Sequence, residues 1–344
     1  MPSDDQKHRR RSTCAARVVT CAAHAGAVCG EGRLFTWGSG SRGALGLGAR
    51  DDAPEPREVA VGGARVVAIA GADGHMLAID EGGCVYAWGE GAHGALGLGS
   101  ADDCLLPAPV CGVLAGRCVT SVSCGAFFSM ALDNTGAVFW WGDGKSLVPQ
   151  EVDGLADRRI TALSYGGSAN HMGVVTDDGL LLTWGAGWEG QLGHGSFGVI
   201  NVPAPALVGK GLQGKQVKQM AAALEYTLVI TDRGEVMGFG SGLLGRLGPC
   251  RETLGGSADG RVVLKKCSEP CHLQCLLDVE VIEVSASHGS AAFLMSDGAL
   301  CVSGEGWIQS RTSQDRLTRL VLPSAADTMV GGGADLHQVS CCGG

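Results

Sequence analysis

Gly38, Gly40 and Gly43 stand at the G-x-G-x-x-G spacing in which backbone N–H groups cradle a dinucleotide pyrophosphate, and Gly89, Gly91 and Gly94 repeat it. That chemistry needs a helix behind the loop, because the helix N-terminus holds the anion. Here Leu45, Gly46, Leu47 and Gly48 follow, and then prolines, so no helix starts. The spacing recurs from Gly185 and from Gly240. It therefore marks a repeated turn and not a nucleotide site, and no cofactor is expected.

Three histidines, His24, His75 and His171, share one position in the repeat, which suggests a metal centre if they converge. Phe128 and Tyr226 fill the same position elsewhere. Phenylalanine binds no metal, so the position is read as packing and hydrogen bonding. Cys267, Cys271, His272 and Cys275 lie close together, with Cys250 nearby. Zinc takes Cys and His ligands, but 15 cysteines are scattered through the chain, and the reading is structural thiols. No serine, histidine and carboxylate stand in a nucleophile-elbow or triad context. The chain is read as non-catalytic.

The elements that carry these residues are set by one frame. An aromatic residue is followed by glycine, any residue and glycine at Trp37, Trp88, Trp141, Trp184 and Phe239, and an eroded copy reads Ser303, Gly304, Glu305, Gly306. Five residues before the aromatic position is always a glycine: Gly32, Gly83, Gly136, Gly179, Gly234 and Gly298. Eight residues before that stands the ring position, ending in Ser290 in the sixth copy. Four copies continue Gly-x-x-Gly-x-Leu-Gly, ending at Gly46, Gly97, Gly193 and Gly248. The third passes from Gly144 to Leu147 without that ending. Spacing between aromatic positions varies from 43 to 64 residues, so the unit is rigid inside and elastic between copies.

Within a copy the reading is short strands joined by glycine turns. Val66–Ala70, His75–Ile79 and Cys84–Trp88 are strands, and the turn at residues 80–83 uses Asp80 and Gly83. About fifty residues with four strands is one propeller blade. Apolar strand openings at Val18, Val66, Val119, Ile160, Val217, Ile282 and Met329 predict seven. The glycines Gly38, Gly89, Gly142, Gly185, Gly240 and Gly304 should sit where a Cβ is not tolerated, with Trp37, Trp88, Trp141 and Trp184 as blade anchors.

The net charge of −9 argues against a nucleic-acid surface. The one basic cluster, from Lys7 to Arg11, falls in a polar tail over residues 1–16 that is expected to be disordered; it reads as a solvated tail, or as a localisation or phosphate contact. The propeller is expected over 17–344. No signal core and no membrane-length apolar run are present, and the odd cysteine count points to reduced thiols in the cytoplasm or nucleus. The longest connector, about 249–278, is expected to protrude and to bind a partner through Lys265, Lys266 and His272. Residues 1–17 hold no hairpin to complete a blade begun at Met329, so the last blade, over roughly 320–340, is expected to lack strands.

The hairpin Asp177, Gly179, Trp184, Gly185 with Gly187, Gly190, Gln191, Leu192 and Gly193 resembles the repeat of the regulator of chromosome condensation family. So does the second copy, from Gly83 through Trp88 and Gly89 to Gly99, and the likeness runs over about residues 17–340. It implies an all-β, seven-bladed β-propeller. Founding members of that family are exchange factors for the small GTPase Ran and bind nucleosomes; relatives are scaffolds, ubiquitin-ligase modules and traffic regulators. Two functions follow as expectations: a non-catalytic scaffold binding protein partners, among them a small GTPase, or a guanine nucleotide exchange factor for a Ran-like GTPase. Exchange residues lie in loops outside the repeat, so the resemblance carries none onto this chain.

Overall fold

The computed structural model describes residues 15–21, 23–164, 169–243, 246–247, 266–273, 276, 280–287, 289–304 and 318–320. They build a β-propeller of six four-stranded antiparallel sheets, each a meander in chain order. The first strands are Ala15–Thr20, Val66–Gly71, Val119–Cys124, Ile160–Leu163, Val217–Ala222 and Val281–Ala286, and from the second onward each packs on the first and second strands of the preceding blade. Six of the seven expected openings thus begin blades. The count of seven is corrected to six: the described residues form six sheets, and Met329 lies outside them. Leu320, where a last blade was expected, ends the fourth strand of blade 6, Thr318–Leu320.

The strands lack simple alternation because both sheet faces are covered. His75–Asp80, Phe128–Asp133, His171–Thr176 and Tyr226–Thr231 are buried at every residue. The core lies between blades rather than inside one. Val28 and Leu34 of blade 1 cluster with Met76 and Trp88 of blade 2, and Leu77 and Leu96 of blade 2 with Phe139 and Trp141 of blade 3. Outer strands such as Ala53–Val59 are exposed at all but their ends.

Register explains the frame. The ring position pairs across the second and third strands with the glycine after the aromatic: His24 with Gly38, His75 with Gly89, Phe128 with Gly142, His171 with Gly185, Tyr226 with Gly240, Ser290 with Gly304. These six glycines have φ between +98° and +107°. At Gly240 a Cβ would lie 2.3 Å from the Glu225 carbonyl oxygen, the atom to which Ser241 N–H donates at 2.8 Å. A Cβ at these positions would press on the backbone of the facing strand. The hairpin glycine five residues earlier joins blades: the carbonyl of Gly83 (φ +82°) accepts the N–H of Val119, which opens blade 3. Asp80 Oδ1 accepts the N–H groups of Gly82 and Cys84, which closes that turn.

Two domain boundaries shift. The propeller begins at Ala15 rather than residue 17, and residues 1–14 lie outside the described residues. Lys266–His272, expected in a protruding connector, is the fourth strand of blade 5. It pairs Met237 with His272 and Ser241 with Lys266. Among the described residues no helix is long and apolar enough to cross a membrane.

Candidate functional site

Each regular joint between blades is closed by the Gly-x-Leu-Gly turn of one blade and the aromatic of the next. The indole N–H of Trp88 donates to Ala44 O at 2.8 Å, and that of Trp141 to Ala95 O at 2.8 Å. Both rings are fully buried. Gly46 and Gly97 are glycines because a Cβ would meet those indoles at 2.8 and 2.7 Å. Phe239 has no donor and packs on Gly193, where a Cβ would lie 2.9 Å from the ring. Ser303, which looked eroded in the sequence, keeps the bond by donating from Oγ to Arg246 O at 3.1 Å. Burying an indole contributes about 5 kcal/mol, against about 1 kcal/mol for its hydrogen bond, so packing holds the joint and the bond sets its geometry.

The ring position adds a second layer. Ser129 donates from Oγ to Ala95 O at 2.8 Å, so its lone pair accepts from His75 Nε2–H at 2.8 Å. Thr227 donates to Gln191 O at 2.7 Å and accepts from His171 Nε2–H at 2.7 Å. Burial pulls the pKa of His75 down to about 4, helped by His24, and that of His171 down to about 3. These are neutral joint histidines, each serving its own blade pair. Where the next blade offers no hydroxyl the ring is Phe128, which clusters with Met172, Tyr226, which reaches over to donate to Ser290 O at 2.6 Å, or His24, whose Nε2 is buried without a partner among the described residues.

The glycine loops cradle an anion, and the protein supplies it. Gly40 N–H donates to Asp52 Oδ1 at 2.9 Å and Gly91 N–H to Asp103 Oδ1 at 2.8 Å. The bond from Gly91, with Arg50 beside it, holds the Asp103 carboxyl below the usual carboxylate range. A phosphate has no place there.

One joint differs. After Gly142 the chain turns through Asp143 (φ 54°) and Gly144 (φ 68°) straight into the outer strand Ser146–Glu151. No turn reaches blade 4. Trp184 stands where Trp88 and Trp141 stand, but its indole N–H has no hydrogen-bond partner among the described residues, although the side chain is 95% buried (5% exposed). The gap is a cleft of about 610 Å³ between blades 3 and 4. Blade 3 supplies Phe127, Trp140, Asp143 and Glu151; blade 4 supplies Asn170, Trp184, Trp188 and Asn201. Phe127 and Trp188 are 46% and 51% exposed at its mouth. Leu147 and Val148, on the outer strand of blade 3, lie instead beside the blade-2 turn at Gly94 and Gly99.

The residues expected to bind a partner lie elsewhere. Lys265 is outside the described residues. Lys266 Nζ sits 2.7 Å from Glu189 Oε2, tying blade 5 to the turn of blade 4. His272 ends the same strand, half-buried. Cys267 and Cys271 are buried with Sγ atoms 3.0 Å apart, and Cys250 and Cys275 lie outside the described residues. Among the described residues no three metal-ligating side chains come together. The cleft was missed because a motif search looks for what is present; its signal in the sequence was the missing Gly-x-Leu-Gly in the third copy.

The fold and its joints define a propeller built from one recurring aromatic–glycine repeat. The Regulator of chromosome condensation (RCC1) repeat matches residues 31–79, 82–132 and 178–230, and a second form of it matches 119–146; the chain belongs to this repeat family. It is 37% identical over 225 residues to human E3 ubiquitin-protein ligase HERC2, covering 61% of this chain and 4% of that protein. It is 31% identical over 245 residues to the Ultraviolet-B receptor UVR8 of Arabidopsis thaliana, covering 67% of this chain and 54% of that one. The fold is similar to that of human WBSCR16 (TM-score 0.69, 22% identity, 83% of this chain and 71% of that one). It is similar too to Prp20p of Saccharomyces cerevisiae (TM-score 0.71, 20% identity, 83% and 71%), described with its binding to Gsp1p and histones.

Proposed function

We propose that this propeller is a non-catalytic protein-binding module and that it takes its partner on the face carrying the cleft between blades 3 and 4. The observation that carries this reading is the aromatic lining of the joint that lacks its turn, Phe127, Trp140, Trp184 and Trp188, with Phe127 and Trp188 exposed at its mouth. Aromatic residues in a concave, partly desolvated setting are the anchors of protein interfaces. The test is affinity capture from the source cell with the full chain and two variants. Trp188→Glu should lose the specific partners, and Arg57→Ala, on the exposed outer strand of blade 1, should keep them. Equal capture by both would move the binding face elsewhere.

A second reading is exchange activity on a Ran-like GTPase in the nucleus or cytoplasm. What favours it is the likeness to Prp20p, whose description names binding to Gsp1p and histones. At 20% identity that likeness is one of fold, and the net charge of −9 disfavours the histone-bound nucleic acid. Fluorescent-nucleotide release from a Ran-type GTPase decides it. Acceleration by the wild-type chain supports exchange, and its absence leaves the binding module alone.

A further inference from the structure

We infer that the cleft between blades 3 and 4 recognises a cationic side chain, lysine or arginine, on a peptide segment of the partner. This rests on the reading of that face as a protein-binding surface and adds the chemistry of what it binds.

Charge makes the first argument. Three carboxylates, Asp143, Glu151 and Asp153, and one ammonium, Lys145, line the cleft. Lys145 Nζ is 2.5 Å from Asp143 Oδ2, so that pair is internally compensated. Glu151 and Asp153 have no ion pair among the described residues. The cleft is left with an excess of negative charge. An anionic ligand, phosphate or nucleic acid included, meets repulsion there.

The second argument is independent of charge count. Indole faces carry a negative quadrupole, and a cation over Trp is the strongest of the cation–π pairs. Trp140, half-buried, and Trp188, exposed, supply two such rings in one cleft. A guanidinium or ammonium on a long apolar stem satisfies both components, its stem against the rings and its head towards Glu151 and Asp153. The third argument distinguishes a peptide from a free amine. The indole N–H of Trp184 has no acceptor among the described residues, and a peptide carbonyl supplies one in place of the missing turn carbonyl. Asn170 and Asn201 offer further amide groups. At the mouth of the cleft the exposed ring of Phe127 offers apolar surface to flanking residues. A volume of about 610 Å³ suits such an occupant.

The test uses the full chain and four nonapeptides, each with leucines flanking a centre of lysine, arginine, glutamate or norleucine, titrated by calorimetry and by tryptophan fluorescence. Lysine and arginine peptides should bind at least about tenfold more tightly than the other two. Trp188→Ala, and Glu151→Gln with Asp153→Asn, should each weaken the lysine peptide roughly tenfold; all three positions are exposed or half-exposed, and circular dichroism verifies that the variants fold. Binding of the norleucine peptide as tightly as the lysine peptide, still lost with Trp188→Ala, overturns the cationic inference and leaves the binding face standing. Binding of no peptide, with partner capture untouched by Trp188→Glu, overturns both.

Discussion

At the scale of single residues, two positions in the frame are set by hard constraints. Gly240 holds φ +101° with a carbonyl oxygen 2.3 Å from where a Cβ would sit. Gly240→Ala should destabilise the chain by at least ~2 kcal/mol from the strained backbone alone. Urea midpoints of this variant and of Arg57→Ala measure it; a matching midpoint for the two would show that the glycine is replaceable. Glu189 would be a poor reference, since it pairs with Lys266. The ring histidine makes the second prediction. Burial keeps His75 neutral in the folded chain, with pKa about 4 against 6.5 when exposed. As pH falls below about 6.5, the unfolded chain takes up a proton that the folded chain refuses. The contribution of His75 to stability is therefore complete above that pH and is lost as the pH falls towards about 4. His75→Phe, the residue found at Phe128 in the next copy, should lower the stability difference between pH 7.5 and pH 5 by ~2 kcal/mol. Denaturant titrations at the two pH values report it.

At the scale of elements, the turn and the outer strand decide which parts can be exchanged. The Gly-x-Leu-Gly turn belongs in function to the blade after it, because its carbonyl receives that blade's aromatic N–H. Grafting the blade-2 turn sequence from Ala92 to Gly99 between Gly144 and Lys145 should close the cleft. It should satisfy Trp184, raise stability by ~1 kcal/mol and abolish binding of the lysine peptide. Thermal melts and the same calorimetry provide both readings; retained peptide binding with a filled joint would place the peptide elsewhere. The connector gives the opposite expectation. Deleting residues 249–278 removes Lys266–His272, the fourth strand of blade 5, together with the buried Cys267 and Cys271. Such a chain should fall largely into the insoluble fraction, while deletion of 249–264 should remain soluble. Recovery of soluble protein from each deletion checks this.

At the scale of the whole molecule, a propeller is a ring of near-equal joints, and its local stability follows the weakest of them. Trp88 and Trp141 are closed by a turn carbonyl, and Trp184 is not. Native-state hydrogen exchange should therefore show the outer strand of blade 3, Ser146–Glu151, opening at lower free energy than Cys104–Pro109 of blade 2. Equal protection of the two would mean that the missing turn costs the joint nothing.

How much of this was legible in the chain depends on range. The ring, glycine and aromatic positions lie within thirteen residues of one another and answer to one hairpin, so the amino-acid order alone determined the hairpins, their glycines and the propeller class. The first six strand openings followed for the same reason. The role of Lys266–His272 did not, because a fourth strand separated from its hairpin by a long, variable connector carries no frame residue of its own; only pairing with Met237 and Ser241 makes it part of blade 5. The pairing of His75 with Ser129 and of His171 with Thr227 was hidden likewise, since the partners are 54 and 56 residues apart and meet only when blades stack. Ser303 looked like a loss by residue type and proved to keep the bond. The cleft is the clearest case. The chain records an absent turn after Gly144, and only the packing of blade 4 against blade 3 turns that absence into an open aromatic surface, because the atom a missing turn would have touched belongs to another blade.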